Sequence, residues 1–488
     1  MNRRLILGGP GAGKTTRLLS VVDEELGIIP SYQIAFVSFT NKAVNEAADR
    51  AVKKFELERG RFPFFRTLHS MCFHQLGIRP GKVMKRSHLK EIGSLLGIEI
   101  TGRTVLDDFD TSMKKGDRML FLHDLSRATK TDPKKTWEKY GTDWDLGWYE
   151  FVKFSETLKR YKEAKGLIDF SDMLSMFVKK GLPVPVEIAI IDEAQDLTPL
   201  QWDVVDVAFR NCSRQYIAGD DDQAIYEWSG ADIRRFLNLG ENEREILPKS
   251  YRLPKKIFDL SKKLASKISK RYEKKWAPRS GDGSVTYVDS IADVDLTGEG
   301  SWLLLARNIC HFSYLQEECR YNGIAFLTRN ESSIDLDEVK MIQSYERLRK
   351  GQTVDGFEAA RILEGLGIRR TVEENRAYRL SDLVSSDPGI WHDAMSGLTI
   401  GKRAYYVTIL RKGYRLTDPP KIRVDTIHGV KGGEADNVVL LTDVTRGTEE
   451  GFERNPDAET RVFYVGVTRA KKNLFVVQPQ TDRGFRLT

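Results

Sequence analysis

Two parallel-sheet α/β domains, each interrupted by a mainly helical insertion, are predicted from three observations. Short runs rich in Ile, Leu and Val recur along the chain and end in polar residues, the habit of strands buried on both faces. A glycine-rich turn joins the first of these runs to a helical pattern. The runs fall into two groups, and each group is broken by a charged stretch of helical character without a central strand. A chain of 488 residues has length for about two to four domains.

The first run, residues 4–7, passes into Gly8-Gly-Pro-Gly-Ala-Gly-Lys-Thr-Thr16, after which Leu18, Leu19, Val21 and Val22 keep helical spacing. Residues 34–39 form a second strand that leads through Thr40 into a helix over 41–55. From about 87 to 165 the composition turns charged and aromatic, with Trp137, Trp144 and Trp148, and reads as a helical insertion. Residues 186–191 are a buried-type strand ending in Asp192-Glu193, and 216–218 another ending in Gly219-Asp220. A second α/β unit starts near Tyr251, with strands over 284–288 and 301–305, and resumes over 422–426, 437–441 and 474–477. The expected partition is 1–75 and 169–248 for the first sheet domain around an insertion at 76–168. For the second it is 249–327 and 418–488 around a smaller insertion at 328–417. Ligands of parallel sheets bind at the carboxyl ends of the strands, which makes the polar strand ends the candidate site.

Composition narrows the class. A chain that is 40% hydrophobic and 30% charged, with 39 Gly and 16 Pro, is neither disordered nor collagenous. Cys72, Cys212, Cys310 and Cys319 lack C-x-x-C spacing, which argues against a disulfide framework or a structural zinc site. No apolar run approaches the roughly 20 residues of a membrane span. The start of the chain offers only three apolar residues before Gly8, too few for a secretory signal. A soluble, cytoplasmic protein without a membrane partner is the expectation. The net charge of +7 is mild, but residues 249–279 hold twelve Lys or Arg against Asp259 and Glu273. Such a block suits phosphate-backbone contacts, or equally a solvated lysine-rich helix face.

Gly8 to Thr15 matches G-x-x-x-x-G-K-[ST]. The glycines let backbone N–H groups wrap phosphates, Lys14 reaches the β- and γ-phosphates, and the Thr15 hydroxyl serves a magnesium ion, so ATP and Mg²⁺ are the expected cofactors. At its strand end Asp192 suits the same metal, and Glu193 suits orienting or deprotonating the attacking water. The long gap between loop and carboxylates implies an inserted domain. Hydrolysis coupled to motion calls for a cation from another element, and Arg252 and Arg469 are the candidates.

In its motifs the chain resembles the superfamily 1A DNA helicases, the group of UvrD, Rep and PcrA. The resemblance rests on Phe39-Thr-Asn-Lys-Ala43, Thr67-Leu-His-Ser70, Asp169-Phe-Ser-Asp-Met-Leu174 and Ile190-Ile-Asp-Glu-Ala-Gln-Asp196. It continues through Gly219-Asp-Asp-Asp-Gln-Ala-Ile-Tyr-Glu-Trp-Ser-Gly-Ala231, Ser250-Tyr-Arg252, Asp425-Thr-Ile-His-Gly-Val-Lys-Gly-Gly-Glu434 and Tyr464-Val-Gly-Val-Thr-Arg-Ala-Lys471. It implies two RecA-like domains. It also implies Gln223 as γ-phosphate sensor, Tyr251 stacked on adenine, and Arg252 and Arg469 as arginine fingers. Gly8, Gly11, Ala12, Gly13, Thr15 and Thr16 would hold the phosphates, with Arg17 near the base, Gln195 beside the nucleotide and Glu434 at the ribose or the domain coupling. Phe39, Tyr226 and Trp228 would stack on or between bases, and Thr67, His69 and His428 would line the strand track, a combination suited to single-strand binding. Phe39, Tyr226 and Trp228 are also plausible core residues, and His69 a packing residue.

The tryptophan-containing block resembles the 3′→5′ branch. An adenine-reading glutamine that members carry upstream of the phosphate loop has no counterpart here, so either base discrimination is relaxed or Arg3, Arg4 and Arg17 compensate. The insertion at 328–417 is about half the family's size, and only eleven residues follow Val477. The compact build resembles phage- or mobile-element-encoded members, in a bacterial or phage-infected cell. The implied function is an ATP-dependent single-stranded DNA translocase and 3′→5′ helicase of replication or repair. Single strands and single-strand/duplex junctions would be its substrates, with a loading or repair protein as a candidate partner. Oligomeric state stays open, a monomer being compatible. A protein-stripping translocase with little unwinding and a scaffold with a vestigial ATPase are the alternatives.

Overall fold

Residues 2–38, 41–102, 113–141, 144–239, 243–329 and 331–487 are described by the computed structural model of the chain. They fall into two compact units. The first comprises Met1–Ser284, Thr445–Lys471 and Arg486–Thr488, and the second Val285–Val444 and Lys472–Phe485.

The first unit is built on six strands: β1 (Asn2–Leu7), β2 (Ile34–Ser38), β3 (Phe65–Thr67), β4 (Ile188–Ile191), β5 (Arg214–Gly219) and β6 (Arg244–Ile246). Their order is β3-β2-β4-β5-β1-β6, and every neighbouring pair is parallel. Alternation along the strands sends Ile6, Phe36, Ile190 and Ala218 to one face, against Leu18, Val21 and Val22 of the helix Lys14–Leu26 and Val44, Ala48 and Ala51 of the helix Asn41–Phe55. Leu5, Leu7, Val37, Ile191 and Ile217 face the other way, against Met71, Leu174, Phe177, Trp202 and Val205. Because both faces are covered, the central strands are apolar throughout, which is why they stand out in the sequence.

The insertion contains the helices Arg86–Leu96, Lys115–Ala128, Pro133–Tyr140 and Trp148–Lys165. It has its own core of Ile92, Leu122, Phe151, Phe154 and Leu158, with Trp137, Trp144 and Trp148 packed on it.

The second sheet orders β7 (Ser284–Val288), β8 (Trp302–Ala306), β9 (Phe326–Leu327), β10 (Ile422–Thr426), β11 (Ala435–Leu441) and β12 (Ala470–Val477) as β7-β12-β11-β8-β10-β9. Its central pairs, β11 with β8, β8 with β10 and β10 with β9, are parallel. The smaller insertion is helical, with Tyr345, Ile362, Leu363 and Tyr406 in a separate core. Both sheets thus have the RecA-like form expected, with helical insertions.

One grouping departs from the expected partition. Residues 249–284 and 445–471 pack with the first sheet. Ion pairs explain it: Arg271 and Lys274 bind the aspartates at the end of β5, and Arg461 binds Glu227. The basic block is divided by the same pairing. Lys255, Lys256, Lys262 and Lys263 stay exposed on the helix Lys255–Ala265, whereas Lys274 is buried.

Candidate nucleotide and nucleic-acid site

The phosphate loop hangs between the end of β1 and the helix Lys14–Leu26. Gly11 (φ +69°) and Gly13 (φ +81°) adopt left-handed backbone that side chains rarely tolerate. No side chain caps the helix at Gly13, so its first-turn N–H groups keep the anion-binding character of a helix N-terminus. Lys14 Nζ donates to Gly8 O at 3.0 Å, Ala12 is buried, and Thr16 is exposed. The segment after β6 closes over this loop. Ser250 Oγ donates to Pro10 O (2.7 Å) and Tyr251 N to Gly11 O (2.9 Å). A Cβ at Gly11 would meet Arg252 Cβ at 2.3 Å, and one at Gly9 would meet the Trp276 ring at 2.6 Å. Tyr251 is 72% exposed, its ring edge 3.7 Å from a Cβ built at Gly13.

At the end of β4, the Thr15 hydroxyl donates to Asp192 Oδ2 at 3.4 Å. Burial, then the neighbouring Glu193 carboxylate, pushes Asp192 up to about 7 against the pull of Lys14 and Thr15. Two crowded carboxylates beside a threonine hydroxyl are an oxygen donor set short of positive charge, which fits a divalent cation such as Mg²⁺. Glu193 has φ +52°, a left-handed conformation costly for a non-glycine residue and typical of functional sites.

Buried Gln195 links this end to the next strand. Its Nε2 donates to Glu193 Oε2 (2.6 Å) and Asp196 Oδ2 (3.2 Å), while its Oε1 accepts from Asp220 N (3.1 Å). Gln223 Nε2 donates to Asp220 Oδ2 at 2.6 Å, and its Oε1 accepts from Arg469 Nη2 at 2.8 Å. Arg469 is buried, with Nε on Val465 O, and Arg252 Nη1 reaches Thr468 O at 3.3 Å. Lys14, Asp192, Glu193, Gln195, Gln223, Arg252, Arg469 and Tyr251 therefore share the first unit. Arg17 also lies there, but its guanidinium is taken by Glu245 (2.6 Å) and Glu24 (3.0 Å). Glu434 (exposed) and His428 (buried) belong to the second unit.

Of the expected nucleic-acid residues, Phe39 lies outside the described residues. Thr67 caps the helix Leu68–Gln75, its Oγ1 accepting from Ser70 N at 3.3 Å. His69 stands edge-on to the exposed ring of Phe170, centroids 5.6 Å apart, and burial pulls its pKa down to about 4, so it is neutral at physiological pH. Tyr226 and Trp228 are half-buried. Trp228 stacks on Phe121 of the insertion (6.0 Å, 13°), which gives it a packing role as well.

Residues 1–243 match the UvrD/REP helicase N-terminal domain, and residues 408–481 the UvrD-like helicase C-terminal domain. The chain belongs to the UvrD/Rep helicase family. It is 24% identical over 426 residues to the ATP-dependent DNA helicase PcrA of Staphylococcus epidermidis, covering 78% of this chain and 56% of that one. With PcrA of Leuconostoc citreum the identity is 23% over 401 residues, covering 77% and 51%. The chain spans about half the length of these relatives. Among solved structures, arterivirus nonstructural protein 10, a helicase, aligns over 97% of this chain and 59% of its own at 12% identity and a TM-score of 0.34, too low to bear on the fold.

Reading the sequence as a UvrD/Rep member passed over several residues that build this site. Ser250 and Trp276 shape the phosphate loop from a distant segment. Ser250 stands in the Ser250-Tyr-Arg252 motif without a role of its own, and no local pattern marks Trp276. Asp220, Asp221 and Asp222, all buried, surround the Nζ of Lys274 at 2.8, 2.5 and 2.8 Å. Burial disfavours the ammonium, but the three carboxylates outweigh it and keep Lys274 charged well above the ordinary lysine range. Three adjacent acids in the sequence do call for a cation. Nothing in the spacing says it comes from Lys274.

Proposed function

We propose that this chain is an ATP-driven motor that moves 3′→5′ along single-stranded DNA and opens duplexes it meets. The observation that carries the reading is the hydrogen-bonded path from Glu193 through Gln195 and Asp220 to Gln223 and Arg469. It joins a hydrolytic carboxylate to the segment bearing Tyr226 and Trp228. Membership of the UvrD/Rep family supports it, as does similarity to the ATP-dependent DNA helicase PcrA.

In this reading Gly8–Thr16 and Lys14 bind the triphosphate, with Tyr251 against the base. Thr15 and Asp192 would hold Mg²⁺, which would supply neutralisation of phosphate charge. Glu193 orients the attacking water and takes its proton. Gln223 holds the water or γ-phosphate in register with the strand track, and Arg252 and Arg469 offset charge that builds on the transferred phosphoryl group. Phe39, Tyr226 and Trp228 grip bases, with Thr67, His69 and His428 along the backbone. Glu434 is assigned to the ribose or to domain coupling on the family resemblance alone. Arg17, already held by two glutamates, is left out of the base contact. The strands from β7 onward join the second sheet, and the division at 1–75, 76–168, 169–248, 249–327, 328–417 and 418–488 is kept as part of the proposal, although residues 249–284 and 445–471 group with the first unit.

The test is unwinding of matched partial duplexes carrying a 3′ or a 5′ single-stranded tail, with ATP hydrolysis recorded in the same tubes and Lys14→Ala as the inactive control. Opening of only the 3′-tailed substrate is expected. Opening of the 5′-tailed one reverses the polarity. DNA-stimulated hydrolysis with neither opened makes the chain a translocase, and hydrolysis indifferent to DNA refutes the motor.

A further inference from the structure

Lys274 sits where three buried carboxylates meet. Its side chain is fully buried, and its ammonium has three protons for three carboxylates, Asp220 Oδ1, Asp221 Oδ1 and Asp222 Oδ2. Asp220 is shared with both glutamines of the site: its N–H donates to Gln195, and its Oδ2 accepts from Gln223. Asp222 is gripped from outside by Nε and Nη2 of Arg271 (2.8 and 2.6 Å). Downstream, Arg461 spans from Asp221 O (3.0 Å) to Glu227 Oε1 (2.8 Å), the residue between Tyr226 and Trp228.

This arrangement turns residues 220–227 into one clamped body with a nucleotide end and an aromatic end. A buried metal ion could compensate three adjacent carboxylates in the same way, but the ammonium already lies among them. Without it, like charges crowded away from water force protonation or opening of the turn. Either change would free Gln223 from the position Asp220 gives it while leaving the phosphate loop, Asp192 and Glu193 in place.

We propose that Lys274 is a positioning residue that couples DNA at Tyr226 and Trp228 to hydrolysis at Gln223 and Glu193, by holding the Asp220–Asp222 turn rigid. The proposal rests on the motor reading above. It assigns no contact between Lys274 and substrate, and its signature is loss of coupling rather than loss of chemistry.

The experiment compares the full chain with Lys274→Met, Lys274→Arg and Arg271→Gln. ATP turnover is measured with Mg²⁺ in the presence and absence of an oligothymidylate of fixed length, alongside thermal unfolding. For Lys274→Met the stimulation by DNA should fall by about 5- to 150-fold, the span of typical site-to-site coupling, with basal kcat and the KM for ATP changed less than about twofold. Lys274→Arg, which keeps a charge, should recover part of the stimulation. Basal and stimulated rates falling in equal proportion, or stimulation left intact, overturns the proposal. If Lys274→Met does not fold, Arg271→Gln decides: partial loss of stimulation at an unchanged basal rate supports the clamp, and unchanged stimulation overturns it. A wild-type chain that hydrolyses ATP without responding to DNA removes the motor reading and this proposal together. A responsive wild type with an equally responsive Lys274→Met removes this proposal alone.

Discussion

Trp228 shows how one side chain can serve two structures. The family resemblance makes it a base-stacking ring, with a core role as the alternative. Its parallel stack on Phe121 also ties it, half-buried, to the insertion core. Truncating it should cost about 1–3 kcal/mol, less than a fully buried tryptophan. Trp228→Ala should also reduce DNA-stimulated hydrolysis more than the basal rate, read in paired turnover assays beside a thermal melt. Equal loss of both rates would confine Trp228 to packing. The phosphate-loop residues were legible because their chemistry is local: glycines, a lysine and a hydroxyl within eight positions. The pairing of Arg17 was not legible, for the opposite reason. Its partner Glu245 lies on an edge strand far along the chain, so no window around Arg17 reveals that its guanidinium is already engaged.

The segment Asp169-Phe-Ser-Asp is a start signal for the helix Phe170–Lys180. Asp169 accepts from Asp172 N (2.7 Å), and Asp172 returns the bond to Asp169 N (3.0 Å). Two cations from the insertion seal this cap: Arg127 binds Asp169 and Asp172 at 2.7 and 2.5 Å, and Lys162 at 2.5 and 2.7 Å. Burial alone would raise Asp169, but Arg127 and Lys162 prevail and hold it at about 2. Because the folded value lies below the unfolded one, near 3.9, its contribution is present above that pH. It is worth about 2–3 kcal/mol at neutrality and is lost as pH falls from about 4 to 2. Asp169→Asn should therefore lower stability in urea at pH 7 markedly, and the gap from wild type should shrink at pH 3. A gap independent of pH would mean the cost is packing. At this scale the long central strands were plain in the sequence. The edge strands β3, β6 and β9 were not, since two or three residues are too few for any alternation to register.

For the whole molecule, the two groups of strand-like runs foretold two sheets, and the aromatic and charged stretches foretold the insertions. Net charge was a poorer guide. The basic block of residues 249–279 divides into an interior part that neutralises aspartates and an outer helix face with Lys262 and Lys263 exposed. If that face touches the DNA backbone, Lys262→Gln with Lys263→Gln should flatten the salt dependence of single-strand affinity by a slope of about 1.4, two contacts' worth. Fluorescence anisotropy across a salt series reads this, and an unaltered slope would make the face merely solvated. The seating of Trp276 against Gly9 has a consequence for descent as well as for folding. Position 9 is a free letter of the phosphate-loop pattern, yet here a single added methyl would collide with an indole more than 260 residues away. The two sites should be inherited as a pair. Relatives with alanine or serine at the position of Gly9 should carry a smaller ring or an aliphatic chain where this one has tryptophan, and a library randomised at both positions should recover only combinations that conserve their joint volume.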